Sequence, residues 1–208
     1  MITESTIEKF LDDLASGRPT PGGGSAAAII GAMGAALVSM VCNVTIGKKG
    51  YEGVEPEMKS VRAESDKLRK RLTEMVSEDV AAFDSLLAAY KLPKSTEEEK
   101  TRRSAAIQAG MRSATETPLE CARVCAGVIE LARRASEHGY LGVISDGGVG
   151  VLAGFTALRS AALNVYINAP SLKDRTFAEQ ATAELEQLVE SSAAQSEAVY
   201  TIVRNKLG

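Results

Sequence analysis

The sequence predicts an all-α bundle of long antiparallel helices, and three observations carry that prediction. Apolar residues recur at helical spacing through most of the 208 residues. No stretch keeps up the period-two alternation of a half-buried strand, and glycine and proline cluster at only a few places, leaving long segments with short connections. No internal repeat is evident. With 45% hydrophobic residues, one helical domain spanning 1–208 is long enough to enclose a core.

Each element follows from local signals. TESTIEKFLDDLASG has Ser and Thr caps, Ile7, Phe10, Leu11 and Leu14 on one face, and Gly17 after them, which is a short amphipathic helix. GRPTPGGGSAAAIIGAMGAALVSMVCNVTIGKKG then runs from a proline- and glycine-rich turn into a segment without charge until Lys48. Residues 25–47 are about as long as a bilayer span, but alanine, glycine, serine, Asn43 and Thr45 dilute them and aromatic anchors are missing. The expectation is a central helix buried on all sides.

From about Pro56 to Tyr90, Met58, Val61, Leu68, Leu72, Met75, Ala82 and Leu86 form a bundle-type stripe that Pro93 closes. Ser95 or Thr96 caps the next helix, with Glu97, Glu98 and Glu99 in its first turn. That helix covers 96–137, with Pro118 dividing or kinking it and Gly139 stopping it. Residues 146–168 carry Val151, Phe155, Leu158, Ala162 and Val165 at helical spacing up to Asn168-Ala169-Pro170, and 172–206 form the last helix.

Composition narrows the function. A formal net charge of -3, a pI near 5.4 and no basic tract argue against nucleic acid as a partner. The start at Met1 has acidic residues where a secretory signal needs a basic and apolar run, and three cysteines fit a reducing compartment. The chain is expected to be cytoplasmic and away from membranes. Its one histidine, His138, sits near a helix end where capping explains it. Cys42 is isolated, and Cys121 and Cys125 share a helical face as small core residues, so no catalytic metal is expected. PTPGGGSAAA lacks the Gly-Lys-Ser/Thr of a phosphate loop, which sets ATP aside.

The chemistry concentrates at a few positions. Glycines permit φ > 0 and close approach, and a helix N-terminus offers free N–H groups, so the glycine turn suits an anion. A second helix opens in VISDGGVGVLAG, with Ser145 as its cap, Asp146 in its first turn and Gly147, Gly148 and Gly150 behind. If the bundle brings both mouths to one end, Ser25, Ser145 and Asp146 would surround a polar ligand. Alternatively, Asp146 only complements the helix dipole. Asn164 and Asn168 lie one turn apart on a strip shared with alanines and need partners in each other, the backbone or a ligand. Asp79 falls on the apolar stripe, so it must find a cation or donor or titrate high, as a general acid or base does. Asp84 belongs nearer the stripe's edge. Lys48 and Lys49 close the apolar helix, where they serve its dipole or a ligand.

PTPGGGSAAA, GKKGY, EDVAAFDSLLAAYKLPK, ATETPL and VISDGGV…ALRSAALNVYIN, in that order, resemble the cyclodeaminase/cyclohydrolase family, the methenyltetrahydrofolate cyclohydrolase group that is similar to the C-terminal part of formiminotransferase-cyclodeaminase. Gly50 and Glu52 depart from it where more basic residues are expected. The resemblance implies an all-helical homodimer that binds a tetrahydrofolate derivative in a cleft near the subunit interface, without metal or nucleotide cofactor. It implies substrate contacts from Pro21, Gly22, Gly23, Gly24, Ser25, Ser145, Asn164 and Asn168. Hydrolysis of the cationic methenyl bridge to 10-formyltetrahydrofolate needs a carboxylate to shuttle protons. Asp146 is assigned that role, with Asp79 or Asp84 as rival and Lys48 as electrostatic or proton-donating partner. Cyclodeamination of formiminotetrahydrofolate, with loss of ammonia, is the competing reaction, and a folate-holding scaffold is the non-enzymatic one.

Overall fold

A computed structural model of the chain describes residues 5–208; Met1 and Thr3 lie outside them. Six α-helices and three single turns of 3-10 helix make up the regular structure, with no strand among the described residues. The helices are α1 (Ile7–Ala15), α2 (Gly23–Thr45), α3 (Glu55–Tyr90), α4 (Glu97–His138), α5 (Ile144–Asn168) and α6 (Arg175–Leu207).

Local chemistry sets the ends. The Thr6 hydroxyl accepts the Lys9 N–H at 3.1 Å to start α1, and Ser16 rather than Gly17 caps its other end. Thr96 and Glu99 form a reciprocal capping box at α4, and the Asp174 carboxylate takes the Phe177 N–H at 3.0 Å at α6. One alternative and one expectation fail here. Pro118 does not divide α4, which runs unbroken from 97 to 138. Ser145 is no cap: α5 begins at Ile144 behind a 3-10 turn, Leu141–Val143, and no side chain caps it.

The core holds the stripe residues Met58, Val61, Leu72 and Met75 of α3 against Ala27, Ala35 and Val38 of α2, and Leu158, Ala161 and Val165 of α5 against Ile129 and Ala132 of α4. α4 packs on α2, α3, α5 and α6, while α2 lies between α3 and α5. Small residues make the α2–α5 contact close: a Cβ on Gly34 would meet the Gly150 carbonyl oxygen at 2.9 Å. Ser65 donates to the Ala35 carbonyl at 2.7 Å, and Ser39 to Asp66 at 2.9 Å, joining α2 to α3.

Neither apolar helix is buried on all sides, which corrects the expectation for α2. Both are long and apolar enough to cross a membrane by composition, and each turns one face inward. Outward, Met33 is 59% exposed, Leu163 68% and Ile167 74%, with Val44, Val149 and Leu152 exposed beside them. α2 has no charged residue, and on α5 the exposed Arg159 lies one turn before Leu163, so this shared outer face is an apolar strip interrupted by one guanidinium. α1 buries none of its residues, and its Ile7 and Leu11 are exposed.

Candidate active site

α2 and α5 run antiparallel. Gly23 at the start of α2 faces Asn164 near the end of α5, while Gly34 faces Gly150 and Gly154. The expectation that both mouths share one end of the bundle is therefore wrong within a protomer. At 1.5 Å per residue, the 18-residue step along α5 from Asp146 to Asn164, which faces Gly23, sets them about 27 Å apart.

At the first end Pro21 is buried behind a cis Thr20–Pro21 bond, and α2 opens at Gly22 with no local side-chain cap. The cap comes from α3: the Ser25 hydroxyl donates to Asp79 Oδ2 at 2.8 Å, and the Ser25 N–H also donates to that carboxylate. Burial pushes the Asp79 carboxyl up from its ordinary range, and the two Ser25 donors pull it partly back. One of the mouth's first N–H groups, that of Ser25, is thus served by the chain's own carboxylate. The glycines there all have negative φ, so left-handed backbone is not their purpose. Gly24 is needed for close approach, because a Cβ on it would overlap the Asp79 carboxylate; on Gly23 it would come no nearer than 3.8 Å to Asn164.

Outside this mouth a groove of about 400 Å³ is lined by Gly23, Ala26, Ile30, Leu163, Asn164 and Ile167. Its size suits a small organic ligand, and its polar side chains are Ser160 and Asn164, whose Nδ2 donates to the Ser160 carbonyl at 3.0 Å. Asn168 does not line it; its Nδ2 donates to the Ala114 carbonyl at 2.7 Å. Asp84 is exposed. Five residues past Asp79 on a helix, it is turned from that carboxylate by about 140°.

The second end gathers Lys48, Ser145 and Asp146. Gly47 and Gly50 take φ of 73° and 89°, and the turn they make carries Lys48 round so that Nζ lies 3.7 Å from the centre of the Tyr140 ring. Ser145 is exposed, and Asp146 is half-buried in the first turn of α5, where the helix dipole favours its charge. The glycines behind it serve packing: a Cβ on Gly147 would meet Ser136 Oγ at 2.6 Å and one on Gly148 would meet Val203 at 3.1 Å. Sequence reasoning missed Tyr51 and Tyr140, although each follows a turn glycine beside a residue it had singled out.

All three cysteines are buried free thiols; burial pushes Cys42 up to about 12, and the hydrogen bond between Cys121 and Cys125, together with burial, raises Cys125. Among the described residues no three His, Cys, Asp or Glu side chains gather as a metal site.

The family model described as Formiminotransferase-cyclodeaminase matches residues 6–187. The chain belongs to the formiminotransferase-cyclodeaminase family. A relative from Methylorubrum extorquens named methenyltetrahydrofolate cyclohydrolase is 56% identical over 207 residues, covering 100% of both chains. The Rattus norvegicus formimidoyltransferase-cyclodeaminase is 31% identical over 94% of this chain, which spans 36% of that relative's length. Within the family the fold is also that of formiminotetrahydrofolate cyclodeaminase from Thermotoga maritima, with TM-score 0.82, 30% identity and coverage of 100% of this chain and 98% of that one.

Proposed function

We infer that the chain is a methenyltetrahydrofolate cyclohydrolase, an enzyme of one-carbon metabolism that hydrolyses the cyclic amidine of 5,10-methenyltetrahydrofolate to 10-formyltetrahydrofolate. The full-length relation at 56% identity to a protein of that name carries this conclusion. In the reaction, water adds to the cationic bridge carbon and loses a proton. The resulting carbinolamine then loses its hydroxyl proton to form the formyl carbonyl as its bond to N5 breaks and N5 takes a proton, so that two protons leave the oxygen, one is taken up and one is released overall. A carboxylate beside the bridge attracts the cation and relays the proton in both steps. Asp146 has that role and Lys48 assists electrostatically, while the Asn164 groove and the Pro21–Ser25 mouth hold the folate.

The functional unit is a homodimer joined through the α2–α5 strip. Support comes from the exposed Met33, Leu163 and Ile167 and from the separation of the two polar ends, which a two-fold across the strip would bring together between protomers. The protein works in the cytoplasm on a small folate, without cofactor, nucleic acid or membrane.

Cyclodeamination is the second reading, favoured by the name of the Thermotoga maritima neighbour. Incubation with methenyltetrahydrofolate should abolish the methenyl absorbance, and incubation with formiminotetrahydrofolate should release no ammonia. Ammonia release without methenyl hydrolysis would reverse the assignment.

A further inference from the structure

Among the described residues the Lys48 ammonium makes no ion pair; its neighbour is the face of Tyr140. That ring is fixed from several sides. Tyr51 meets it edge-on, with centroids 5.7 Å apart and planes at 90°. The Tyr140 N–H donates to Thr45 Oγ at 2.9 Å, and that hydroxyl in turn donates to the Val41 carbonyl at 2.7 Å. The next N–H, of Leu141, donates to the Tyr51 hydroxyl at 3.2 Å. Gly142 leaves room for the ring: a Cβ there would come within 2.5 Å of Tyr140 Cε1.

A carboxylate partner would neutralise the ammonium. An aromatic face attracts it through the ring quadrupole and leaves its charge whole for a third group.

We propose that Tyr140 is a positioning residue, whose ring, braced by Tyr51 and Thr45 and accommodated by Gly142, holds the Lys48 ammonium toward an anionic or electron-rich group of the folate. This rests on the placement of Lys48 in the substrate site. The arrangement also explains why the turn after α2 uses two left-handed glycines: they bring Lys48 back to a ring that arrives from the far end of α4.

Steady-state kinetics with methenyltetrahydrofolate test it in a double-mutant cycle. Lys48→Met should raise KM, and Tyr140→Leu should raise it about threefold to tenfold, whereas Tyr140→Phe, which keeps the ring, should stay within about twofold of the parent. Tyr140→Leu should add nothing in the Lys48→Met background, because a residue that acts only through Lys48 has nothing left to position. Gly142→Ala, which displaces the ring without altering it, should raise KM like Tyr140→Leu and carries the test if that variant does not fold. A parent-like KM in the folded Tyr140→Leu or Gly142→Ala protein overturns the proposal. So does an undiminished effect of Tyr140→Leu beside Lys48→Met, which would mark a merely structural ring. Parent-like constants in Lys48→Met would instead remove Lys48 from the site, and the role of Tyr140 with it.

Discussion

Asn168 shows what a single buried amide does here. Pro118 has no N–H, so the Ala114 carbonyl one turn earlier in α4 loses its helical donor, and Asn168 Nδ2 replaces it at 2.7 Å. This bond satisfies the acceptor that a proline break would otherwise expose to water. Asn168→Ala should therefore cost about 1–3 kcal/mol in denaturant unfolding, and much less in a Pro118→Ala background where the helix supplies its own donor. Equal costs in both backgrounds would refute the pairing. Asp79 makes a different statement at the same scale. Its carboxyl is raised by burial, so the folded protein holds the proton more tightly than the unfolded chain does. That stability is fully present below the unfolded pKa and is lost as pH rises through the folded one. Asp79→Asn should accordingly be at least as stable as the parent at neutral pH, with a flatter melting profile from about pH 4 upward. A variant whose melting temperature falls between pH 4 and pH 7 as steeply as the parent's would mean that another group carries that slope.

At the scale of elements, periodicity made the helices legible. Met58, Val61, Leu72 and Met75 are all buried as their spacing requires, and the Thr96 capping box follows directly from its residues. That Pro118 leaves α4 undivided was not legible, because the donor that replaces its N–H lies 50 residues away, on α5. The two glycine-rich mouths looked alike in sequence, yet their glycines clear different neighbours: Asp79 at α2, but Ser136 and Val203 at α5. Composition cannot reveal which atoms cross a helix start, nor that α2 and α5 run in opposite directions. The distinction is testable within one turn. Gly24→Val should displace Asp79 from Ser25 and destabilise the protein by about 1–3 kcal/mol, whereas Gly23→Val should leave that contact and most of the stability intact. If Gly23→Val proves the more costly change, Asp79 does not govern the α2 mouth.

For the whole molecule, the antiparallel α2–α5 pair leaves the groove at Gly23 and Asn164 about 27 Å from Asp146, with Lys48 beyond the far end of α2, while the face between them is largely apolar and exposed. A folate cannot use both ends of one protomer. Two copies related by a two-fold across that face would bury Met33, Leu163 and Ile167 and set the mouth of each against the Lys48 end of the other. Charging the strip with Met33→Glu and Leu163→Glu should then yield monomers with little activity, read by sedimentation. The sharper test joins two damaged proteins. Asp146→Asn should lower kcat by about 10²–10⁴, as loss of a general base does, and Asp79→Asn should impair the mouth end. Refolded together in equal amounts, half of the dimers are mixed and each carries one site with both carboxylates intact, so activity should recover to about a quarter of the parent's. A site completed within one protomer predicts the opposite: each mixed dimer then has one Asp146-damaged and one Asp79-damaged site, and the mixture stays at the mean of the two variants. Full kcat in Asp146→Asn alone would remove it as the base and move the proton shuttle to the α2 mouth.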